Sequence, residues 1–318
     1  MPPRLPCLLP SAIAVAIAAP LSAQPIPSGF ADPANQVAIP FVAAVDGAAF
    51  VPPDLDRSAN PLGGAVRAII NDDGRTPMLS DEYPWSTIGR VDWVDDRGGV
   101  VGSCTGTLVG LDLVLTNAHC LLEEASDRPT QHQIVFRPNL RRGQARTSAE
   151  VVDYAYGDSP YSGRAADDWA LLRLNRPLGD TYGFLGWRSL DFRDDDLLTA
   201  TAGKVSIVGY AGDFPTERLR SFGAPGETAG LSEGCSVLLV MPEGELADTL
   251  VHDCDTNAGA SGGPILARFD DGEYYIVGLH SGSITLLENI TLPSGDRTDI
   301  LNRGVQVQRW AATAAAMR

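Results

Sequence analysis

The stretch Asp253–Leu266, which reads DCDTNAGASGGPIL, surrounds a single serine, Ser261, with residues that have almost no side chain. Most Gly-Gly-Pro stretches are turns that lead into a strand, and the apolar residues after Pro264 fit that interpretation. Small residues also let backbone N–H groups come within hydrogen-bond distance of a group bound at the serine. The stretch alone leaves both interpretations open, so the choice depends on the rest of the chain.

His119 is the candidate base for Ser261. A serine hydroxyl is a weak nucleophile unless a base accepts its proton, and a neutral imidazole is the usual base near neutral pH. His119 is one of four histidines, and it lies near the end of LVLTNAHC (113–120), an apolar strand that runs into small residues. A strand end holds an imidazole in a fixed position, as a base requires.

Asp168 is the candidate carboxylate. A histidine base needs an acidic partner that sets its tautomer and stabilises its charged form. Asp168 comes directly before WALL (169–172), at the start of an apolar strand. An aspartate in an ordinary turn would give the same pattern, and the neighbouring Asp167 is a rival candidate. The chain order His, Asp, Ser is that of chymotrypsin-type enzymes and differs from the order in subtilisin-like and α/β-hydrolase enzymes.

Three blocks resemble the signature motifs of chymotrypsin-fold (trypsin-like) serine endopeptidases: TNAHC (116–120), DWALL (168–172) and GASGGP (259–264). The resemblance spans roughly residues 83–310. It implies that Ser261 is the nucleophile, that His119 is the general base and then the acid, and that Asp168 orients it. It further implies an oxyanion hole made by the N–H groups of Gly259 and Ser261, an acyl-enzyme, and no need for a metal or cofactor.

Two features depart from the digestive members of this family. Those enzymes carry an aspartate just before the nucleophile, which binds the new N-terminus on activation, whereas this chain has Ala260. Activation through that ion pair is therefore not expected. The block YPWSTIGR (83–90) looks more like the bacterial glutamyl endopeptidase branch, whose mature chains begin upstream of such a segment.

The resemblance also locates the primary specificity pocket. It lies between Asp255, Thr256 and Asn257 on one side and His280, Ser281, Gly282 and Ser283 on the other. Asp255 favours a trypsin-like preference, because a carboxylate at the pocket base attracts Arg or Lys. Thr256 and His280 instead resemble the glutamyl endopeptidase pocket, where a hydroxyl and an imidazole bind an acidic side chain. We expect cleavage after Glu, with trypsin-like preference as one alternative and an inactive protease-like binding protein as another.

Short β-rich runs between turn signals predict the fold. They recur from Tyr83 onward, for example at Leu113–Thr116, Val205–Tyr210 and Pro264–Phe269. Their number and spacing suit two small barrels. The family resemblance implies that each barrel is antiparallel and six-stranded. We therefore predict an all-β protein with two antiparallel six-stranded β-barrels, at about 83–180 and 195–300, in a protease domain of residues 81–318. The Ala-rich stretch Val305–Met317 is the predicted C-terminal helix.

The N-terminal region predicts export. Arg4, the apolar run Leu8–Leu21 and the small residues at 22 and 23 are typical of a secretory signal peptide over residues 1–23. Residues 24–80 are rich in proline and alanine and predict a pro-segment or linker of a zymogen. We therefore expect a secreted or periplasmic protein.

Four cysteines remain beyond the signal, and an even number in an exported chain suggests two disulfides. The family resemblance pairs Cys104 with Cys120, which leaves Cys235 with Cys254.

The charge of the chain limits its partners. A formal net charge of −16 and a pI near 4.5 argue against nucleic acid and anionic membranes, because both require a basic surface. No second long apolar run follows the signal, so no membrane span is predicted. We expect a monomer whose partners are protein or peptide substrates.

Overall fold

The structure is a computed structural model that describes residues 46–58, 73–292, 295 and 297–318. The predicted signal peptide lies outside the described residues, as does part of the predicted pro-segment. In chain order the strands are β1 (Thr76–Pro77), β2 (Ile88–Val94), β3 (Val100–Leu108), β4 (Leu113–Thr116), β5 (Leu122–Glu123), β6 (Arg128–Pro129), β7 (Gln133–Pro138), β8 (Ala149–Tyr156), β9 (Ala170–Leu174), β10 (Gly186–Trp187), β11 (Val205–Gly209), β12 (Gly230–Cys235), β13 (Val237–Val240), β14 (Leu250–His252), β15 (Pro264–Arg268), β16 (Tyr274–Thr291) and β17 (Arg297–Gln306).

Helices are few and short in the described part of the chain. The α-helices are α1 (Gly179–Tyr182), α2 (Asp195–Thr201) and α3 (Ala311–Met317), and 3-10 helices occupy Trp85–Thr87, Ala118–Cys120, Ala165–Asp167, Glu217–Phe222 and Val307–Arg309. None of the described helices is long and apolar enough to cross a membrane. The predicted all-β class with a C-terminal helix is confirmed.

The first half of the domain is a closed barrel with the strand order β2-β3-β4-β9-β8-β7. Its register explains why two distant chain segments meet. Thr116, the last residue of β4, pairs with Ala170, the first residue of β9, in an antiparallel ladder. The residues that follow β4 and those that precede β9 therefore emerge at the same end of the barrel.

The second half is one nine-stranded sheet, with the order β1-β12-β11-β15-β16-β17-β14-β13 and with β10 beside β16. The expected arrangement was a second closed barrel of six strands. Two features enlarge the sheet: β1 is added from the N-terminal segment along β12, and β16 continues for 18 residues in a long hairpin with β17.

Parts of residues 24–80 are built into the fold, although their composition predicted a pro-segment or linker. Gly47 and Phe50 form bridges with Trp187 and Phe184, and Met78 is completely buried. A glycine is needed at position 47, because a Cβ there would overlap the indole of Trp187.

The residue that precedes the C-terminal helix anchors the helix against β10. Trp310 is fully buried, and its indole packs edge-on against Trp187 at 5.2 Å between ring centroids. The helix is shorter than predicted, because Val305 and Gln306 pair with Leu279 and Gly278 and thus belong to β17.

Candidate active site

His119 and Asp168 meet at the end of the barrel where β4 finishes and β9 begins. Nδ1 of His119 lies 2.8 Å from Oδ2 of Asp168, and the backbone N–H of His119 donates to Oδ1 at 3.0 Å. The Asp168 carboxylate is completely buried. Nδ2 of Asn117 donates a hydrogen bond to the backbone carbonyl of Asp168 at 2.6 Å. The carboxylate thus holds the tautomer with a proton on Nδ1 and leaves Nε2 as an acceptor.

The neighbouring aspartate has different partners. Asp167 accepts a hydrogen bond from Arg309 at 3.3 Å and lies 3.7 Å from the guanidinium of Arg164. The structure therefore brings Asp168, and not its rival, to the imidazole.

The backbone of Ser261 is held against the first barrel, next to the segment that carries His119. Its backbone carbonyl accepts from the N–H of Thr105 on β3 at 2.8 Å and lies 3.9 Å from Sγ of Cys120. The next residue, Gly262, has a φ of +82°, and a Cβ there would overlap the carbonyl of Thr105. Only glycine allows this close approach of the two backbones.

The hydrogen bonds of the loop around Ser261 set the directions of the Gly259 and Ser261 N–H groups. The carbonyl of Ala258 accepts from Gly212 at 2.7 Å, and that of Ala260 accepts from Gly263 at 2.8 Å. In a trans peptide the N–H points away from the carbonyl of the preceding residue, so the N–H groups of Gly259 and Ser261 point in the opposite direction. In the part of the chain that the structure describes, neither of these N–H groups has a protein acceptor.

Thr105 helps to fix this loop. Its hydroxyl donates to the carbonyl of Gly259 at 3.0 Å and accepts from the N–H of Tyr210 at 2.8 Å. Gly259 has a φ of +96°, and a Cβ there would lie 2.5 Å from the carbonyl oxygen of Tyr210. The loop therefore requires glycine at position 259.

A pair of histidines, His252 on β14 and His280 on β16, lies on the two strands that flank β17. Nε2 of His280 lies 3.5 Å from the hydroxyl of Thr256, at the outer limit of a hydrogen bond, and its Nδ1 lies 3.2 Å from Nε2 of His252. Both rings are buried, and they pack edge-on at 5.3 Å. The sequence prediction included Thr256 and His280 but missed His252.

Burial keeps these two imidazoles neutral near pH 7. Loss of hydration lowers the pKa of His252 to about 3. The same effect, reinforced by the nearby His252, holds the pKa of His280 well below its usual value. A neutral imidazole donates one hydrogen bond and carries no charge, so the pair cannot by itself neutralise an anion.

Asp255 does not lie at the base of a buried pocket. Asp255 is exposed, and its carboxylate accepts a hydrogen bond from the backbone N–H of Gly74 at 2.9 Å. Asn257 is also exposed and donates to Asp213 at 2.9 Å, while Asp213 pairs with Arg75. The hydrogen bond from Arg75 lowers the pKa of Asp213. Both residues thus connect the segment before β1 to the loop that precedes Ser261.

The two serines of the pocket strand face different surroundings. Ser281 is buried, and its hydroxyl lies 3.5 Å from the backbone carbonyl of Arg303. Ser283 is exposed, two residues further along β16.

Both expected disulfides are present, Cys104–Cys120 and Cys235–Cys254. The first bridge joins β3 to the 3-10 helix that holds His119. Cys104, His119 and Cys120 come close enough to suggest a metal site. Their sulfurs are bonded to each other, however, and a metal requires the free thiolate, so this cluster does not supply metal ligands.

Residues 104–279, more than half of the chain, match the family described as Trypsin-like peptidase domain. The chain belongs to this family. The glutamyl endopeptidase of Bacillus licheniformis is 25% identical to this chain over 205 residues, which cover 64% of the chain and 56% of that relative. The chain thus spans little more than half the length of this curated relative.

Solved structures give the same fold. A Glu endopeptidase in complex with MPD has a TM-score of 0.54 and 25% identity, and the match covers 78% of this chain and all of that one. The protease Anisep from Arthrobacter nicotinovorans has a TM-score of 0.51 at 20% identity, over 74% of this chain and 98% of its own. The predicted resemblance to chymotrypsin-fold peptidases is confirmed.

Proposed function

We propose that this chain is a serine endopeptidase that works through Ser261, His119 and Asp168. The observation that carries the proposal is the 2.8 Å contact between Nδ1 of His119 and the buried carboxylate of Asp168. An orienting carboxylate behind an imidazole, next to a serine in a glycine-rich loop, is the arrangement that makes a hydroxyl nucleophilic.

In the proposed reaction, Oγ of Ser261 attacks the carbonyl carbon of the peptide bond while its proton passes to Nε2 of His119. The N–H groups of Gly259 and Ser261 stabilise the negative charge that develops on the carbonyl oxygen. The C–N bond then breaks, and His119 gives the proton to the leaving amine. Water next adds its hydroxyl to the acyl carbon, and its other proton returns through His119 to Ser261 as the ester bond breaks.

We further propose that the preferred residue before the scissile bond is glutamate. Thr256 and His280 offer a hydroxyl and a neutral imidazole to an acidic side chain, with Ser281 and Ser283 on the same strand. The position of Asp255 argues against a trypsin-like preference, because its carboxylate is exposed and bonded to Gly74. The similarity to a glutamyl endopeptidase supports the same choice.

The biological setting is also a proposal. Residues 1–23 act as a signal peptide, residues 24–80 as a pro-segment or linker, and the mature protease acts as a secreted or periplasmic monomer on protein or peptide substrates. It needs no metal or cofactor and binds neither nucleic acid nor membranes. Two disulfides support an oxidising compartment. Maturation works without the N-terminal ion pair, because Ala260 is buried and carries no charge.

Two measurements test the proposal. A serine-directed fluorophosphonate should label the wild type and not Ser261→Ala, and absence of labelling in the wild type would favour a protease-like binding protein. Matched peptides that differ only in the residue before the cut should be cleaved fastest with Glu, and more slowly with Asp. Dominant cleavage after Arg or Lys, abolished by Asp255→Ala, would replace the glutamyl preference with the tryptic one.

A further inference from the structure

The pocket proposed for glutamate lacks a positive charge in its imidazoles. Burial keeps His252 and His280 neutral near pH 7. Placing a carboxylate in a poorly hydrated site is unfavourable unless a cation or several hydrogen bonds compensate it. The net charge of −16 makes the general field of the protein repulsive to an acidic side chain. A local cation would therefore strengthen a preference for glutamate beyond what the hydroxyl and imidazole donors supply.

Arg303 provides a cation beside this pocket. It lies on β17 directly opposite Gly282, which is two residues after His280 on β16. A Cβ built on Gly282 would lie 3.3 Å from Nε and 3.4 Å from Nη2 of Arg303. The guanidinium therefore lies over the face of Gly282 that a side chain would otherwise occupy. Its charge also reaches His280, where it contributes to the lowered pKa of that imidazole.

The backbone around Arg303 is held firmly. Its carbonyl lies 3.5 Å from the hydroxyl of Ser281, and the preceding Asn302 donates to the carbonyl of Cys254 at 2.8 Å. Cys254 is bonded to Cys235 and lies two residues before Thr256. The strand that carries the guanidinium is thus tied to both walls of the pocket.

The Arg303 guanidinium also has unused donors. Within the part of the chain that the structure describes, no hydrogen bond or ion pair engages it. Other partly buried arginines have carboxylate partners, such as Arg75 with Asp213 and Arg309 with Asp248. Acidic residues outnumber basic ones by 40 to 24, so an arginine without a carboxylate partner is conspicuous. Arginine is suited to bind a carboxylate through two parallel N–H groups.

We propose that Arg303 is a specificity-determining residue that pairs with the carboxylate of the substrate's acidic side chain, across Gly282 from the Thr256 and His280 donors. This inference rests on the proposed cleavage after glutamate and names the group that supplies the charge. Gly282 is part of the arrangement, because a side chain at that position would displace the guanidinium.

The test compares the Glu peptide with its Gln counterpart, which has nearly the same shape but no charge. Arg303→Gln removes the charge, and Arg303→Lys keeps it without the bidentate fork. We expect Arg303→Gln to lower the Glu to Gln ratio in kcat/KM by about 10- to 100-fold, the range for a charged hydrogen bond. Arg303→Lys should recover part of the ratio, and cleavage of the Gln peptide should remain near the wild-type rate.

Arg268→Gln is the matched control, because this arginine lies on β15 and donates to the carbonyl of Gly272, outside the pocket. It should keep the wild-type ratio. An Arg303→Gln variant with the wild-type ratio would overturn the role of Arg303 while leaving glutamyl cleavage intact. A wild type that cleaves the Gln peptide as fast as the Glu peptide would instead overturn the proposed preference, and the inference with it.

Discussion

His119 and His280 are the same residue type placed in two different environments. The side chain of His119 is 22% exposed and faces a buried carboxylate, whereas the ring of His280 is buried and faces the imidazole of His252. A carboxylate neighbour stabilises a charged imidazole, while burial beside a second imidazole opposes it. The first environment suits proton transfer, and the second suits a fixed neutral hydrogen-bond donor. The partner and the solvent, and not the ring, determine what each histidine can do.

The largest expected effect is the loss of turnover when Ser261 or His119 is replaced. Ser261→Ala and His119→Ala should each reduce kcat by at least about 10⁴-fold, because the nucleophile and base act as one unit. The rate of hydrolysis of a fluorogenic Glu peptide gives the measurement. Circular dichroism and the thermal midpoint should stay close to the wild type, which separates lost chemistry from lost folding.

His132→Ala is a matched histidine control. His132 is exposed and stacks beside Trp93, away from Asp168. Its removal should leave kcat within about twofold of the wild type, the expectation for a surface substitution. Near-normal turnover in His119→Ala would exclude the proposed base.

The two environments also differ in how far the sequence predicts them. The proposed catalytic residues lie in short blocks beside β4, β9 and β15, and the sequence shows each of these strands as an apolar run. Pairing of β4 with β9 then brings His119 to Asp168. The contact of His280 with His252 depends on a partner 28 residues away, and no local pattern distinguishes His252 from a packed strand residue.

Two strands that the sequence patterns did not predict account for other features that could not be foreseen. Sequence patterns did not reveal β12 (GLSEGC) or β17 (RTDILNRGVQ), because glycine and charged residues obscure their alternation. These strands owe their structure to neighbours across the sheet. Arg303 lies on one of them, so its position opposite Gly282 could not be inferred from its surroundings in the sequence.

The two disulfides test the comparison between His119 and His280, because each bridge holds the segment beside one of these two environments. Cys104–Cys120 tethers the segment of His119, and Cys235–Cys254 tethers the segment before Thr256. Replacing Cys235 and Cys254 together by serine should lower the free energy of unfolding by about 3 kcal/mol, as expected for a closed loop of about 20 residues. Urea unfolding of the Ser261→Ala protein, which avoids autolysis, provides the value. An unchanged midpoint would show that the bridge does not constrain the unfolded chain.

A smaller effect is expected for the pocket imidazole. His280→Ala should lower kcat/KM for the Glu peptide by about 10- to 100-fold, because one buried hydrogen bond to a charged group is lost. The rate of labelling by a fluorophosphonate should change little, since Ser261 and His119 are untouched. Asp255→Ala is the control within the same pocket segment and should retain the preference for Glu. Equal loss of peptide cleavage and labelling in His280→Ala would mean that this imidazole supports the fold and not substrate choice.

The smallest expected effect is a pH dependence of stability that comes from His252. Burial lowers its pKa to about 3 in the folded protein, whereas the unfolded chain has a value of about 6.5. Between these values the unfolded chain binds a proton that the folded protein excludes, so stability falls as the pH drops below about 6.5. The slope is at most about 1.4 kcal/mol per pH unit for one group, or about 2 kcal/mol between pH 7 and pH 5.

His252→Gln keeps a polar side chain that does not titrate and should lose less stability than the wild type over this interval, by about that amount. Urea unfolding of both proteins at the two pH values, in the Ser261→Ala background, gives the comparison. Carboxylates that titrate in the same range contribute equally to both proteins and cancel in the difference, so identical losses would mean that His252 is not held neutral by burial.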